Sequence, residues 1–273
     1  MHNYKVYRSV LAIVMVLCVA LAAGACSQGG GNKLRVGLEC DYAPFNWTQP
    51  DASNNAAQIE GGGYAGGYDV EIAKKVAAGL NKELVIVKTD WDGLLPGITS
   101  GKIDAIIAGM SPTADRKESI DFTDNYYVSD LVLVVRKDGP YADAKALSDF
   151  AGAKITAQLN TFHETVVEQI PGVIKETPLE DFPTMIVALT SGKIDGYVSE
   201  RPGAKSAAET NPNITYVIPT PGFEYSPDDA AIAIGLKKGS PLTADINKIL
   251  AGISEVEREN LMIQALANQP STD

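Results

Sequence analysis

A six-residue phrase occurs twice in this chain, as Thr99-Ser100-Gly101-Lys102-Ile103-Asp104 and again as Thr190-Ser191-Gly192-Lys193-Ile194-Asp195. Each copy follows apolar residues at helical spacing: Leu94, Leu95 and Ile98 in one case, Met185, Ile186 and Leu189 in the other. Each precedes a strand-like run, Ala105 to Ala108 and Gly196 to Val198. The repeated context predicts two lobes built alike. A length of 273 residues with 45% hydrophobic content fits one large or two modest domains.

The rest of the chain alternates in the same way. Leu34 to Leu38, Leu84 to Val87, Leu131 to Val135 and about Ala230 to Leu236 read as strands. Val70, Ala73, Val76, Ala77 and Leu80 recur at helical spacing, and a C-terminal helix from about Leu242 carries Ile246, Ile249, Leu250 and Ile253. Ile155 leads into Asn160-Thr161, where Thr161 and Glu164 form a capping-box pattern for another helix. Alternation of this kind predicts α/β layers with largely parallel sheets. Ligands of such sheets sit beyond the carboxyl ends of strands, so two facing lobes predict a cleft lined by the residues after each strand.

Charge and chemistry narrow the function. The formal net charge is −11, from 23 basic and 34 acidic side chains, which opposes binding to a phosphate backbone and excludes nucleic acid as a partner. Two histidines and three cysteines without Cys-x-x-Cys or a His/Cys cluster predict no metal site and no cofactor. Gly61 to Gly66 has the glycine spacing of a dinucleotide fingerprint, but a polar stretch precedes it where a hydrophobic strand is required, so it reads as a loop. Gly97 to Lys102 is one residue short of a phosphate loop and is followed by Ile103. No Gly-x-Ser-x-Gly turn is present, and His163 has no nucleophile near it in sequence, so it reads as a polar helix residue. An enzyme is not expected.

The N-terminus reads as an address. Lys5 and Arg8 precede an apolar run from Val10 to Ala25, shorter than the roughly 20 residues of a membrane span. Ala23-Gly24-Ala25-Cys26 resembles a bacterial lipobox, with Ala23 where leucine is preferred. Residues 1–25 are therefore expected to be a signal peptide. Cys26 is expected to carry lipid, and residues 26–32 to form a Gly-rich tether to the membrane.

A succession of motifs then carries a family resemblance. Gly67-Tyr68-Asp69-Val70-Glu71-Ile72-Ala73, Tyr42-Ala43-Pro44-Phe45, Trp91-Asp92-Gly93-Leu94-Leu95-Pro96, Gly109-Met110-Ser111-Pro112-Thr113 with Arg116, and Asp121-Phe122-Thr123-Asp124 with Tyr126-Tyr127 occur in order. Together they resemble the polar amino-acid-binding proteins of bacterial ABC importers, the family 3 solute-binding proteins, over roughly Lys33 to Ile253. The resemblance implies an α/β fold of the periplasmic-binding-protein type II. Two lobes, 33–130 plus 225–273 and 131–224, would be joined by a two-stranded hinge near Tyr127–Leu131 and Pro219–Tyr225. It further implies a monomer that closes on one free L-amino acid and delivers it to a membrane permease with its ATPase, outside the cytoplasm.

In similar proteins the arginine matching Arg116 forks the ligand's α-carboxylate, a geometry that suits a planar guanidinium. Ser111 would add a backbone N–H, and Thr161 donors from a helix start. Glu200 stands where relatives have an aspartate for the α-ammonium, and Gly109 could offer its carbonyl to the same group. Leu159-Asn160 replaces the Gly-Ser or Gly-Thr common before Thr161. Tyr42 and Trp91 match an aromatic sandwich around the ligand side chain, and Glu39 matches an acidic position that receives basic side chains. Trp47 either enlarges that wall or anchors a loop. The expected ligand is a basic amino acid: arginine first, then lysine, ornithine or histidine. Glutamine or another polar amino acid is the alternative ligand. A dehydratase-like enzyme and an amino-acid sensor lipoprotein are the alternative classes.

Overall fold

A computed structural model describes residues 31–270. The expected signal segment and Cys26 lie outside the described residues. Strand β1 (Lys33–Leu38) buries Leu34, Val36 and Leu38 on one face, as its alternation demands. A small antiparallel sheet follows, made of β2 (Asp41–Tyr42), β3 (Asn46–Gln49), β4 (Ala57–Gln58) and β5 (Tyr64–Gly66). Helix α1 (Tyr68–Gly79), β6 (Glu83–Lys88), α2 (Trp91–Ser100), β7 (Ala105–Ile106) and the short α3 (Ala114–Ser119) lead to the long β8 (Ile120–Val128).

The chain then runs straight into β9 (Leu131–Arg136), followed by β10 (Lys154–Thr156), α4 (Phe162–Val166), β11 (Ile174–Lys175), α5 (Phe182–Thr190), β12 (Gly196–Glu200), α6 (Arg201–Thr210) and β13 (Ile214–Val217). It returns through α7 (Pro227–Ala230) to β14 (Ala231–Lys237) and ends in α8 (Thr243–Ala251) and α9 (Glu255–Asn268). No helix among the described residues is long and apolar enough to cross a membrane.

Two five-stranded sheets result, ordered β6-β1-β7-β14-β8 and β11-β10-β12-β9-β13. Strands β1 and β7 pair in parallel, as β10 does with both β11 and β12. Strand β14 runs antiparallel to β7 and β8, and β9 antiparallel to β12 and β13. The expectation of largely parallel sheets is therefore corrected to mixed ones. Ser129 and Asp130 are the whole link between β8, which ends the first sheet, and β9, which lies in the second, and the antiparallel pairs arise where β14 and β9 run against their neighbours. The returning strand lies back along the outgoing one: Ala231 stands opposite Val128, and Ser129 N donates to Ala230 O at 3.0 Å.

This pair of strands is the hinge between the two α/β lobes. The return crossing expected to be strand-like over Pro219–Tyr225 is irregular chain, and regular pairing begins only at β14. The single C-terminal helix read from the sequence is two helices, broken at Gly252 to Ser254, where the Ser254 hydroxyl accepts from Glu257 N at 3.2 Å.

Candidate functional site

Chain ends of the parallel strands converge on one point. Glu39 follows β1, Gly109 and Ser111 follow β7, Thr161 and His163 follow β10, and Glu200 closes β12. Tyr42 lies on β2, Trp91 opens α2, Arg116 sits within α3 and Phe182 opens α5. All ten line one cavity between the lobes, with Gln158 and Phe162. The eight ligand-binding candidates read from the sequence are thus brought together. The positions after strands face each other because the carboxyl ends of both sheets point into the cleft.

At one end of the cavity lies Arg116, only 9% exposed. Its guanidinium donates to Ser111 O at 2.9 Å and to Asn160 O at 3.0 Å, and stands 4.9 Å from the Trp91 ring centroid. Among the described residues it forms no ion pair, and burial lowers its pKa to about 10, with Glu200 and Asp229 working against that shift at longer range. A buried cation held only by carbonyls is a strong attractor for an anion. The neighbouring Ser111 hydroxyl is spent on Asp229 O at 2.8 Å.

At the other end Glu200 has both oxygens engaged. The Tyr42 hydroxyl donates to Oε2, and His163 Nε2 lies 3.0 Å from Oε1. Burial pushes the Glu200 carboxyl up, but His163 and Tyr42 together outweigh it and hold the group below the usual range. The Tyr42 ring stacks on Phe182 at 4.0 Å between centroids and 10° between planes. Tyr42 and Trp91 therefore each have one face covered, by Phe182 and by Arg116 respectively. Glu39 completes the charged set: it is 3% exposed, and its Oε1 accepts from Gln158 Nε2 at 2.9 Å. Burial, then the nearby Asp41, raise its pKa well above that of an ordinary carboxylate, and the Gln158 hydrogen bond only partly offsets them.

Gly109 is held from beneath. Its φ of 61° is left-handed, and a Cβ there would meet Tyr42 Cε1 at 3.2 Å, so a glycine lets the backbone reach the cavity wall. Its N–H donates to the Tyr126 hydroxyl at 3.2 Å, which in turn donates to the fully buried Asp69 at 2.7 Å. Asp69 comes from the start of α1, so the motif Gly67-Tyr68-Asp69 supports the site without entering it.

Two readings need correction and a third, His163, needs placing. Thr161 does precede α4, but its hydroxyl donates to Gln158 O at 2.7 Å and makes no cap hydrogen bond, and α4 is only 5 residues long. The capping box is not formed, and so short a helix supplies little dipole. His163 does lie in α4, as read, but it is 3% exposed and lines the cavity. Trp47 is neither cleft wall nor exposed anchor, since it is buried with Nε1 donating to Gln49 Oε1 at 3.0 Å, against Gly66. Gln158 and Phe182 escaped the sequence reading altogether. Phe182 carried a signal, because it follows Asp181, whose carboxylate caps α5 through Thr184 N at 2.7 Å.

The model of one protein family, described as bacterial extracellular solute-binding proteins, family 3, matches residues 34–262. The chain belongs to that family. Among its relatives, the arginine-binding extracellular protein ArtP of Bacillus subtilis (strain 168) is 27% identical over 249 residues, covering 88% of this chain and 90% of ArtP. The solved structure of AbpA, an amino acid ABC transporter substrate-binding protein from Streptococcus pneumoniae Canada MDR_19A bound to L-arginine, superposes with a TM-score of 0.74 at 29% identity. The match covers 86% of this chain and 95% of that one. An ancestral amino acid-binding protein, AncCDT-1, a precursor of cyclohexadienyl dehydratase, gives a TM-score of 0.71 at 27% identity, covering 86% and 96%. As a family 3 solute-binding protein, this chain places its cleft between two lobes joined by the β8–β9 and β14 strands.

Proposed function

We propose that the cleft captures one free L-amino acid with a basic side chain, arginine first, and that the closed protein hands it to an ABC permease. The observation that carries this is the charge set of one cavity: one guanidinium, Arg116, and two carboxylates, Glu200 and Glu39. An α-carboxylate on Arg116, an α-ammonium on Glu200 and a side-chain cation on Glu39 would match it charge for charge. Among the described residues, Glu39 Oε2 and His163 Nδ1 are buried side-chain polar atoms without a hydrogen-bond partner, and both residues line this cavity. A donor-rich side chain answers the Glu39 oxygen; a neutral amide such as glutamine leaves its charge unpaired. The arginine-binding relatives support the same ligand class.

In this reading Ser111 N–H and Thr161 assist Arg116, Gly109 O assists Glu200, and Tyr42, Phe182 and Trp91 close over the ligand's stem. Lobes 33–130 plus 225–273 and 131–224 move as two bodies about the hinge. Residues 1–25 are removed, Cys26 is lipidated and residues 26–32 tether a monomer to the membrane. No turnover is expected, because a Glu200 held ionised is poorly set to act as a general acid, which sets this chain apart from a dehydratase. Calorimetry against the twenty amino acids and ornithine tests the assignment. Arginine should bind most tightly, and Arg116→Ala should weaken it by at least about tenfold. Affinity unchanged in that variant, or a neutral amino acid ranking first, defeats it.

A further inference from the structure

One residue crosses the mouth of the cleft by two routes. Asn160 lies in the turn between β10 and α4 with φ of 59°, a left-handed conformation that asparagine tolerates better than most side chains. Its backbone oxygen accepts from Arg116 of the first lobe at 3.0 Å. Its side-chain Nδ2 donates to Asp92 Oδ1, also of the first lobe, at 2.8 Å. Asp92 stands in the first turn of the 10-residue α2, where the helix dipole favours a carboxylate, immediately after Trp91. The turn thus grips the two first-lobe elements that carry the aromatic and guanidinium walls of the cavity.

Three other contacts inside the cavity differ in kind. Gln158 to Glu39, Tyr42 to Glu200 and Tyr42 to Phe182 all use groups that the proposed ligand itself needs. A ligand entering the cavity competes with them. The Asn160 to Asp92 bond uses none of the ligand's partners, so it persists when the cavity fills. A cross-cleft bond that ligand does not displace adds to the stability of the closed state and slows its opening.

We propose that Asn160 and Asp92 form a clasp that sets the lifetime of the closed amino-acid complex. Asn160 is a positioning residue in this role, standing where the resemblance leads one to expect a small residue with no reach across the mouth. The clasp rests on the assignment of a free amino acid to the cleft. It acts on release, because ligand enters the open form, where the two residues are apart.

The test is a double-mutant cycle on the full chain, with stopped-flow release of L-arginine as readout. Asn160→Asp keeps the side-chain shape but turns a carboxylate toward Asp92, and should speed release by about tenfold. Asp92→Ala removes the acceptor and should speed it by about three- to fivefold, with the association rate within about twofold of wild type in both. In the double variant the repulsion is gone, so release should fall back to the Asp92→Ala rate. Single effects that multiply in the double variant, or release unchanged in both singles, overturn the clasp. Should no arginine binding be detected, the ligand assignment fails, and small-angle scattering of the unliganded protein decides the clasp separately. A more open average shape for Asn160→Asp than for wild type supports it, and superimposable curves overturn it.

Discussion

Asp69 keeps a carboxylate where no solvent reaches it, with Tyr126 donating to Oδ1 at 2.7 Å and Asn46 Nδ2 donating to Oδ2 at 2.8 Å. Burial lifts its pKa from 3.8 to about 6, against the pull of those hydrogen bonds. Between those values the folded chain holds a proton that the unfolded chain has lost, so this group's contribution to stability rises as pH falls through 6 toward 4. The shift corresponds to at most about 3 kcal/mol. Asp69→Asn cannot take up that proton. The Tm of wild type minus that of the variant should therefore be more positive near pH 4.5 than near pH 7; a constant difference across paired melts excludes the linkage.

Glu39 gives the matching prediction for binding. Its raised pKa means that acidification protonates it above the usual carboxylate range, so arginine affinity should fall as pH falls in that region. Glu39→Gln should flatten this dependence. It should also weaken arginine by about tenfold while leaving glutamine within about threefold. Equal losses for both ligands in calorimetry would assign Glu39 to the fold instead.

Elements explain why the six-residue phrase recurs. Gly101 and Gly192 end helices α2 and α5 with φ of 78° and 76°, and Ile103 and Ile194 are buried behind them. Asp104 N donates to Arg35 O and Asp195 N to Lys154 O, both at 2.8 Å. Their carboxylates return the bond, Asp104 accepting from Arg35 N at 2.9 Å and Asp195 from Lys154 N at 3.0 Å. Each also holds a guanidinium, Arg35 at 2.7 Å and Arg136 at 2.8 Å. The phrase is a clip between a helix end and the first strand of a parallel pair, used once per sheet. Asp104→Ala and Asp195→Ala should each cost about 1–3 kcal/mol in denaturant unfolding, and unequal responses would argue against a shared role.

The start of α1 is stricter still. Gly67 has φ of 121°, and a Cβ there would come within 2.3 Å of Phe45 O, so Gly67→Ala should destabilise by more than about 2 kcal/mol.

On the proposed reading, ligand binding and closure are one equilibrium across the whole molecule. A ligand that binds only the folded chain at about 100 times its Kd adds about 2.7 kcal/mol. L-Arginine should accordingly raise the Tm of wild type by several degrees and leave that of Arg116→Ala near its unliganded value in the same titration. Much of this architecture was legible. The phrase pair announced two similar lobes, and residues after strands were the right places to look for a cleft. His163 and Gln158 were not legible as cleft residues, because nothing in their local spacing distinguishes a side chain aimed across a cleft from one aimed at solvent. Trp47 illustrates the reverse, an aromatic near cleft residues in sequence that the small β2-β3-β5-β4 sheet turns inward.

Local order alone determined the alternation of strand and helix and the duplicated phrase, since each depends on neighbours within a few positions, while the residues for a zwitterion were named through the family resemblance. Only the tertiary structure decided the mixed strand directions, the pairing of His163 with Glu200 and the reach of Asn160 to Asp92. Those contacts join residues far apart in the chain, and their geometry is set by how two sheets meet at a two-residue link.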